Sequence, residues 1–181
     1  MKASVIGFLL MLVVPLTSSA AERITTKQLE STVEKAVVEK EADWRPKKLG
    51  PYQKEGPDGV QRLRLLWVPR EGVTVLSALD GKSPHPRPRA WVEISLYLSP
   101  EKAADDLHDP SGASSRPRAV VKDLGDEAYI WGPSADGSVI VRARAGRAYI
   151  EVGGPSADVT MRFAQLTTEE VSKELAKAGD R

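Results

Sequence analysis

The strongest constraint on the fold comes from residues 90–98, where apolar side chains alternate with polar or aromatic ones. Because successive side chains of a strand point to opposite faces of a sheet, the alternation predicts a strand with one buried face. The side chains expected on that buried face are Val92, Ile94, Leu96 and Leu98. Trp91 and Tyr97 share the opposite face, where we expect a helix to cover them, although they could instead line a groove.

Other segments predict that this strand belongs to a mainly antiparallel sheet. Further strand patterns occur at residues 60–68, 73–79, 119–121, 127–131, 138–144 and 147–153. The first two are expected to pair as a hairpin through the turn at 69–72. The last two are expected to pair through the tight turn at 144–147.

Capping signals predict one helix before these strands, one after them and a short one between them. Thr25 begins a capping box that predicts an N-terminal helix ending near residue 42. Thr167 begins a second box, which predicts a terminal helix reaching about residue 178. Ser99, followed by a proline, predicts a short middle helix. The fold class is therefore α+β, a single domain with a mainly antiparallel sheet flanked by N-terminal and C-terminal helices and a short middle helix.

Residues 1–20 have the layout of a secretory signal peptide. Lys2 gives a positive start, an apolar run reaches Leu16, and small residues end at Ala20. The run is shorter than the roughly 20 apolar residues of a membrane-spanning helix. We therefore expect cleavage after Ala20, a single exported domain over residues 21–181, and no membrane span after cleavage. An uncleaved segment that tethers a subunit of an envelope complex is the alternative.

The amino-acid composition limits the cellular compartments and the classes of binding partner that we expect. The chain has no cysteine, which excludes disulfide frameworks, thiolate metal sites and cysteine nucleophiles. Small exported eukaryotic domains usually rely on disulfides, so the leader indicates a bacterial periplasmic or secreted protein. The 26 Lys and Arg residues barely exceed the 25 Asp and Glu residues. Nucleic acid is therefore not an expected partner, because its binding usually needs a clustered basic excess.

No residue pattern in the chain matches a known catalytic motif. His85 and His108 are the only two histidines, and no Gly-x-Ser-x-Gly elbow is present to supply a serine nucleophile. The acidic residues between 105 and 109 lack the spacing of a calcium loop, so they are expected to form a solvated helix end. We predict no catalytic residue, no metal site and no cofactor.

An acidic cluster is the basis of the alternative function. Asp123, Asp126 and Glu127 lie close together, and paired carboxylates carry out glycoside hydrolysis. An envelope hydrolase using the cluster near Asp126 is therefore the alternative to a non-catalytic protein. The simpler interpretation assigns Asp126 to a turn and makes Glu127 a cross-strand or helix-capping partner.

The segment 82–89 is the most distinctive surface feature. Its three prolines favour an extended chain without internal hydrogen bonds. Lys82, His85, Arg87 and Arg89 project from it as candidate contact residues for an unknown protein or envelope component. A stiff, solvated connection between strands is the plainer interpretation of the same segment.

The sequence Leu-Gly-Asp-Glu-Ala-Tyr at residues 124–129 carries a resemblance, together with the hairpin sequence Gly-Arg-Ala-Tyr-Ile-Glu-Val at 146–152. Over residues 120–178 the chain resembles small uncharacterised bacterial exported proteins and lipoproteins. The resemblance implies an exported α+β domain of binding or accessory type and carries no catalytic residue. The chain departs from the lipoproteins because it lacks the lipid-bearing cysteine. We therefore expect a non-catalytic periplasmic or secreted accessory or binding domain.

Overall fold

One antiparallel sheet and three helices make up the part of the chain that the structure, a computed structural model, describes: residues 24–48, 53–56, 58–76, 78–108 and 118–179. The expected signal peptide lies outside the described residues. The helices are α1 (Thr26–Lys40), α2 (Pro100–His108) and α3 (Ala157–Lys177). The strands are β1 (Trp44–Pro46), β2 (Gln53–Glu55), β3 (Gln61–Pro69), β4 (Ala90–Leu96), β5 (Arg118–Val120), β6 (Glu127–Trp131), β7 (Val139–Ala145) and β8 (Ala148–Gly154).

The sheet order joins the two halves of the chain at its centre. Neighbouring strands follow the order β1-β3-β4-β8-β7-β6-β5, with β2 paired to the other end of β3. Every one of these pairings is antiparallel. The first half of the chain meets the second where β4 pairs with β8, with Ile94 opposite Ile150. The fold is therefore α+β with the predicted order of helices around the sheet.

Helices α1 and α3 cover one face of the sheet and enclose the main core. Val92, Ile94 and Leu96 are buried on this face, as the alternation predicts, whereas the prediction for Leu98 is wrong because β4 ends at Leu96 and Leu98 is 64% exposed. Phe163 of α3 packs edge-on against two indoles, with ring centroids 5.5 Å from Trp44 and 5.3 Å from Trp67. Such edge-to-face contacts add to the area that the rings bury.

Helix α2 packs on the opposite face and covers only part of it. Ala103 and Leu107 pack against an aromatic cluster of Tyr129, Trp131 and Tyr149. Tyr97 packs against this cluster and its hydroxyl donates to Asp106 of α2, so the expected helical cover is present at Tyr97. The rest of this face, which we call the mixed face, is not covered by any helix of the described residues.

Charged side chains on the mixed face are paired across strands. Arg64 of β3 donates from Nε to Glu93 of β4 at 2.9 Å. Arg142 of β7 lies 2.7 Å from the carboxylate of Glu151 on β8. Opposite charges on directly paired residues stabilise a sheet, so these pairs offset the cost of placing charges on it.

The predicted strand at 73–79 is wrong. The described residues of this segment form no strand, and a single bridge links Leu76 to Pro84. Strand β3 pairs instead with β4, from Gln61 opposite Leu96 to Trp67 opposite Ala90. Its other edge pairs with β1 and β2, two strands of three residues each. Both edges of β3 are thereby taken, which leaves no place for a hairpin partner.

The predicted start of the terminal helix is also wrong. Helix α3 begins at Ala157, with Ser156 as its cap accepting from the Val159 N–H at 3.3 Å. Thr167 is fully buried inside this helix. The buried stripe that includes Phe163 runs through the predicted boundary, so packing of one apolar face decides where the helix begins.

The other two helix starts are confirmed. In α1 the Gln28 side chain accepts from the Thr25 N–H at 2.7 Å, and Thr25 Oγ1 accepts from the Gln28 N–H at 3.4 Å. In α2 the Ser99 hydroxyl accepts from the Lys102 N–H at 3.4 Å. Both contacts satisfy backbone donors that the first helical turn leaves unpaired.

Candidate binding cleft

A cleft of about 720 Å³ lies on the mixed face, between the loop that precedes β4 and the turn between β6 and β7. Its floor is formed by Trp91 of β4 and Ile140 of β7, both of which lie opposite Gly153 of β8 in the sheet register. The remaining lining residues are His85, Pro86, Arg87, Arg89, Ser134, Ala135, Asp136, Ser138, Gly154 and Pro155. Its volume falls within the range of small-molecule sites.

His85 ties one wall of the cleft to the other. Its Nε2 lies 3.1 Å from the carbonyl oxygen of Asp136, and its Nδ1 accepts from the Arg87 N–H at 3.4 Å. Because Nε2 faces a carbonyl and Nδ1 faces an N–H, these contacts fit the tautomer with its proton on Nε2. The His85 backbone N–H also donates to the Val75 carbonyl at 2.8 Å. Both ring nitrogens are thus used to hold the loop, and His85 serves as a positioning residue.

Lys82 lies outside the cleft. Asp80 Oδ1 accepts from the backbone N–H groups of Lys82 at 3.0 Å and of Ser83 at 2.8 Å, which folds this part of the loop into a turn. Hydrogen bonds from Ser83 and from the Lys82 backbone lower the pKa of Asp80 to about 2. Of the four contact residues predicted from the sequence, the structure therefore brings His85, Arg87 and Arg89 together in one cleft.

The Trp91 indole packs against Gly153, where the Cβ of any other residue would collide with it. A Cβ at position 153 would lie 2.3 Å from atoms of the indole, far inside van der Waals contact. The guanidinium carbon of Arg64 lies 5.9 Å from the ring centroid, within the range of a cation–π contact. Trp91 is half-buried and no helix covers it, so the expected helical cover is wrong here and the groove alternative is right.

Arg87 and Arg89 are the unpaired cations of the cleft. Both side chains are exposed, and neither guanidinium forms an ion pair or hydrogen bond with another residue of the described chain. Four arginines elsewhere around the sheet face carboxylates: Arg62 with Asp58, Arg64 with Glu93, Arg142 with Glu151 and Arg144 with Asp126. The cleft therefore offers two guanidinium groups that form no ion pair with a carboxylate of the described residues.

Asp136 adds one carboxylate to the other wall of the cleft. Its Oδ1 accepts from the Ser138 N–H at 3.1 Å and from the Ser134 hydroxyl. These hydrogen bonds, that of Ser134 first, lower the pKa of Asp136 to about 2, so the group is ionised at neutral pH. The Asp136 side chain is exposed, so its carboxylate can still accept hydrogen bonds from a ligand.

Asp126, the centre of the predicted acidic cluster, joins two turns. Its Oδ2 accepts from the Gly146 N–H at 2.7 Å and from Nη1 of Arg144 at 2.9 Å. Gly125 has a φ of +64°, and a Cβ there would lie 2.3 Å from the Arg144 carbonyl oxygen. The carboxylate thus locks the turn before β6 to the β7–β8 hairpin. Asp123, with a φ of 59°, belongs to the same turn.

Glu127 and His108 meet in a contact that the sequence analysis does not anticipate. Glu127 accepts from the Tyr129 hydroxyl and lies 3.1 Å from Nε2 of His108 at the end of α2. The Tyr129 hydroxyl is the main cause that lowers the pKa of Glu127, and His108 adds to it. The contact fastens the end of α2 to β6.

The described residues contain no group of three or more histidine, aspartate or glutamate side chains that could hold a metal ion. Asp105 lies 3.5 Å from Lys102, and Asp106 accepts from the Tyr97 hydroxyl. Asp109 lies outside the described residues. No helix within the described ranges is both long enough and apolar enough to cross a membrane.

Comparison with known proteins supplies no relative: no family model matches the chain, and neither a curated protein nor a solved structure shows significant similarity to it. The proposed function therefore rests on the geometry of the cleft.

We predict that Asp126→Ala lowers the free energy of unfolding by about 1–2 kcal/mol, because it removes the acceptor for the Gly146 N–H and the partner of Arg144. Asp126→Asn is the matched control, since its amide oxygen still accepts one hydrogen bond and the loss should be smaller. Urea unfolding measures both. Equal stability of wild type and Asp126→Ala would contradict the turn-locking role.

Proposed function

We propose that the protein is a non-catalytic binding domain exported to the bacterial periplasm or beyond, and that it binds an anionic envelope component in the cleft beside Trp91. The observation that carries the proposal is the pair of unneutralised guanidinium groups, Arg87 and Arg89, at the rim of a cleft with an aromatic floor. Perturbed or unpaired groups converging on a concave pocket are the usual mark of a binding site.

The conformation of the loop supports a binding role. Preformed sites lose less conformational entropy when they bind. Here the His85 ring joins the loop to the turn at Asp136, and Asp80 holds a second turn upstream. Arg87 and Arg89 are therefore presented from a backbone that is already folded.

The contacts of the acidic cluster favour this proposal over the hydrolase alternative. Asp126 uses one carboxylate oxygen for two structural contacts, and Glu127 accepts from Tyr129 and faces His108. A general acid in glycoside hydrolysis needs a raised pKa, whereas the pKa of Glu127 is lowered. The cluster also lies apart from the residues that line the cleft.

Export rests on the leader pattern of residues 1–20 and is tested by mass. We expect the intact mass of the chain recovered from the bacterial periplasm or medium to correspond to residues 21–181. Retention of residues 1–20 in a membrane-bound form would contradict cleavage and favour the tethered subunit. Recovery from the cytoplasm with the leader intact would contradict export altogether.

The binding role is tested with protein-depleted anionic polymers extracted from bacterial envelopes and immobilised on a sensor. We expect wild-type protein to bind and Arg87→Gln/Arg89→Gln to lose about tenfold or more in affinity, the scale of one charge-assisted hydrogen bond. The matched control is Lys27→Gln/Lys122→Gln, which removes the same charge from exposed residues that do not line the cleft.

The comparison of the two double variants decides the outcome. Binding should weaken with added salt, because exposed charges are screened. Equal affinity of the two double variants would show attraction to net charge and would contradict a role for the cleft. Absence of binding by the wild-type protein would overturn the proposal.

A further inference from the structure

The floor of the cleft selects for a ligand with a flat apolar face. Trp91 and Ile140 are both half-buried and line the cleft, and the indole packs over Gly153. An indole offers a large apolar surface to a ring laid on it.

The rim selects for an anion. Arg87 and Arg89 present planar groups of N–H donors, which match the geometry of a carboxylate or a phosphate in two parallel hydrogen bonds. Both guanidinium groups lack partners within the described chain, so a ligand anion would displace no protein carboxylate.

Asp136 distinguishes between these two anions. Its carboxylate lines the same cleft and repels a second negative group. A phosphate monoester, with close to two charges, meets more repulsion than a carboxylate with one. An ionised carboxylate also accepts hydrogen bonds without donating, so the exposed Asp136 favours hydroxyl or N–H donors on the ligand.

An apolar face, one carboxylate and several hydroxyl donors are combined in a sugar acid. We propose that the cleft binds an acidic saccharide, in which a six-membered ring bearing a single carboxylate lies on Trp91. This assignment rests on the proposed function and names the ligand class for the same cleft. Arg87 and Arg89 hold the carboxylate, and Asp136 accepts from ring hydroxyls.

The test compares four probes by calorimetry and by tryptophan fluorescence. The probes are an acidic trisaccharide in which one of the sugars is a uronic acid, a neutral trisaccharide of the same linkage, a nucleoside monophosphate and inorganic phosphate. We expect the acidic trisaccharide to bind about tenfold or more tightly than the other three, since only it joins a sugar ring and its hydroxyl donors to an anion of a single charge. Its binding should change the tryptophan emission.

Three variants separate the contributions of the cleft residues. Arg87→Gln/Arg89→Gln should lower affinity for the acidic trisaccharide about tenfold or more, and Lys27→Gln/Lys122→Gln should not. Trp91→Phe should keep measurable binding and lose the change in emission. Asp136→Asn should weaken trisaccharide binding and strengthen phosphate binding, a reversal that a purely structural role would not produce. Thermal unfolding of each variant checks that the fold is kept.

The failure of this ligand class is distinguishable from the failure of the proposed function. Arginine-dependent binding of phosphate or of the nucleotide in preference to the acidic trisaccharide overturns the saccharide and leaves a binding cleft for another anion. Equal binding of the neutral and acidic trisaccharides overturns the role of the carboxylate. If no probe and no envelope polymer binds in a manner that depends on Arg87 and Arg89, both proposals fall.

Discussion

The antiparallel pairing of β4 with β8 is the interaction on which the rest of the structure depends. It joins the first half of the chain to the second and places Ile94 opposite Ile150 in the main core. The same register places Trp91 opposite Gly153 on the mixed face. A shift by one residue would turn every side chain of β4 to the other face, so the core and the cleft floor depend on one register.

The mixed face is organised by charge. Arg64 and Arg142 are paired with carboxylates on neighbouring strands, Glu93 and Glu151. Such cross-strand pairs stabilise a sheet. Arg87 and Arg89 form no such pair with the described residues, and they lie at the edge of a cleft. Two arginines without an ion pair in a cleft are therefore the feature on which the proposed function rests.

Local patterns in the sequence predict most of the fold. Strand alternation at 90–98 and the capping box at Thr25 depend on neighbouring residues, and both are confirmed. The strand expected at 73–79 does not form, because β4 occupies one edge of β3 while β1 and β2 occupy the other. The local sequence of 73–79 does not indicate these pairings. The helix boundary expected at Thr167 fails because burial of the α3 stripe overrides a local cap signal.

The candidate site is only partly visible in the sequence. The proline-rich loop draws attention to His85, Arg87 and Arg89 because of its composition. The partner of Trp91 is Gly153, far along the chain, and only the sheet register brings the two together. Ser134, Asp136 and Ser138 have the residue types of an ordinary turn. No neighbouring residue indicates that His85 contacts this turn. The clue available in advance is the glycine in an otherwise strong strand, which signals close approach of another group.

The central claim is that an accessible indole lies beside unpaired arginines, and comparison of iodide with caesium quenching tests it most directly. Trp44, Trp67 and Trp131 are 2%, 0% and 5% exposed, so Trp91 is the accessible fluorophore of the four tryptophans. The account predicts stronger quenching by iodide than by caesium, abolished by Trp91→Phe and reduced by Arg87→Gln/Arg89→Gln. Equal quenching by the two ions, or iodide quenching that persists in Trp91→Phe, would contradict it.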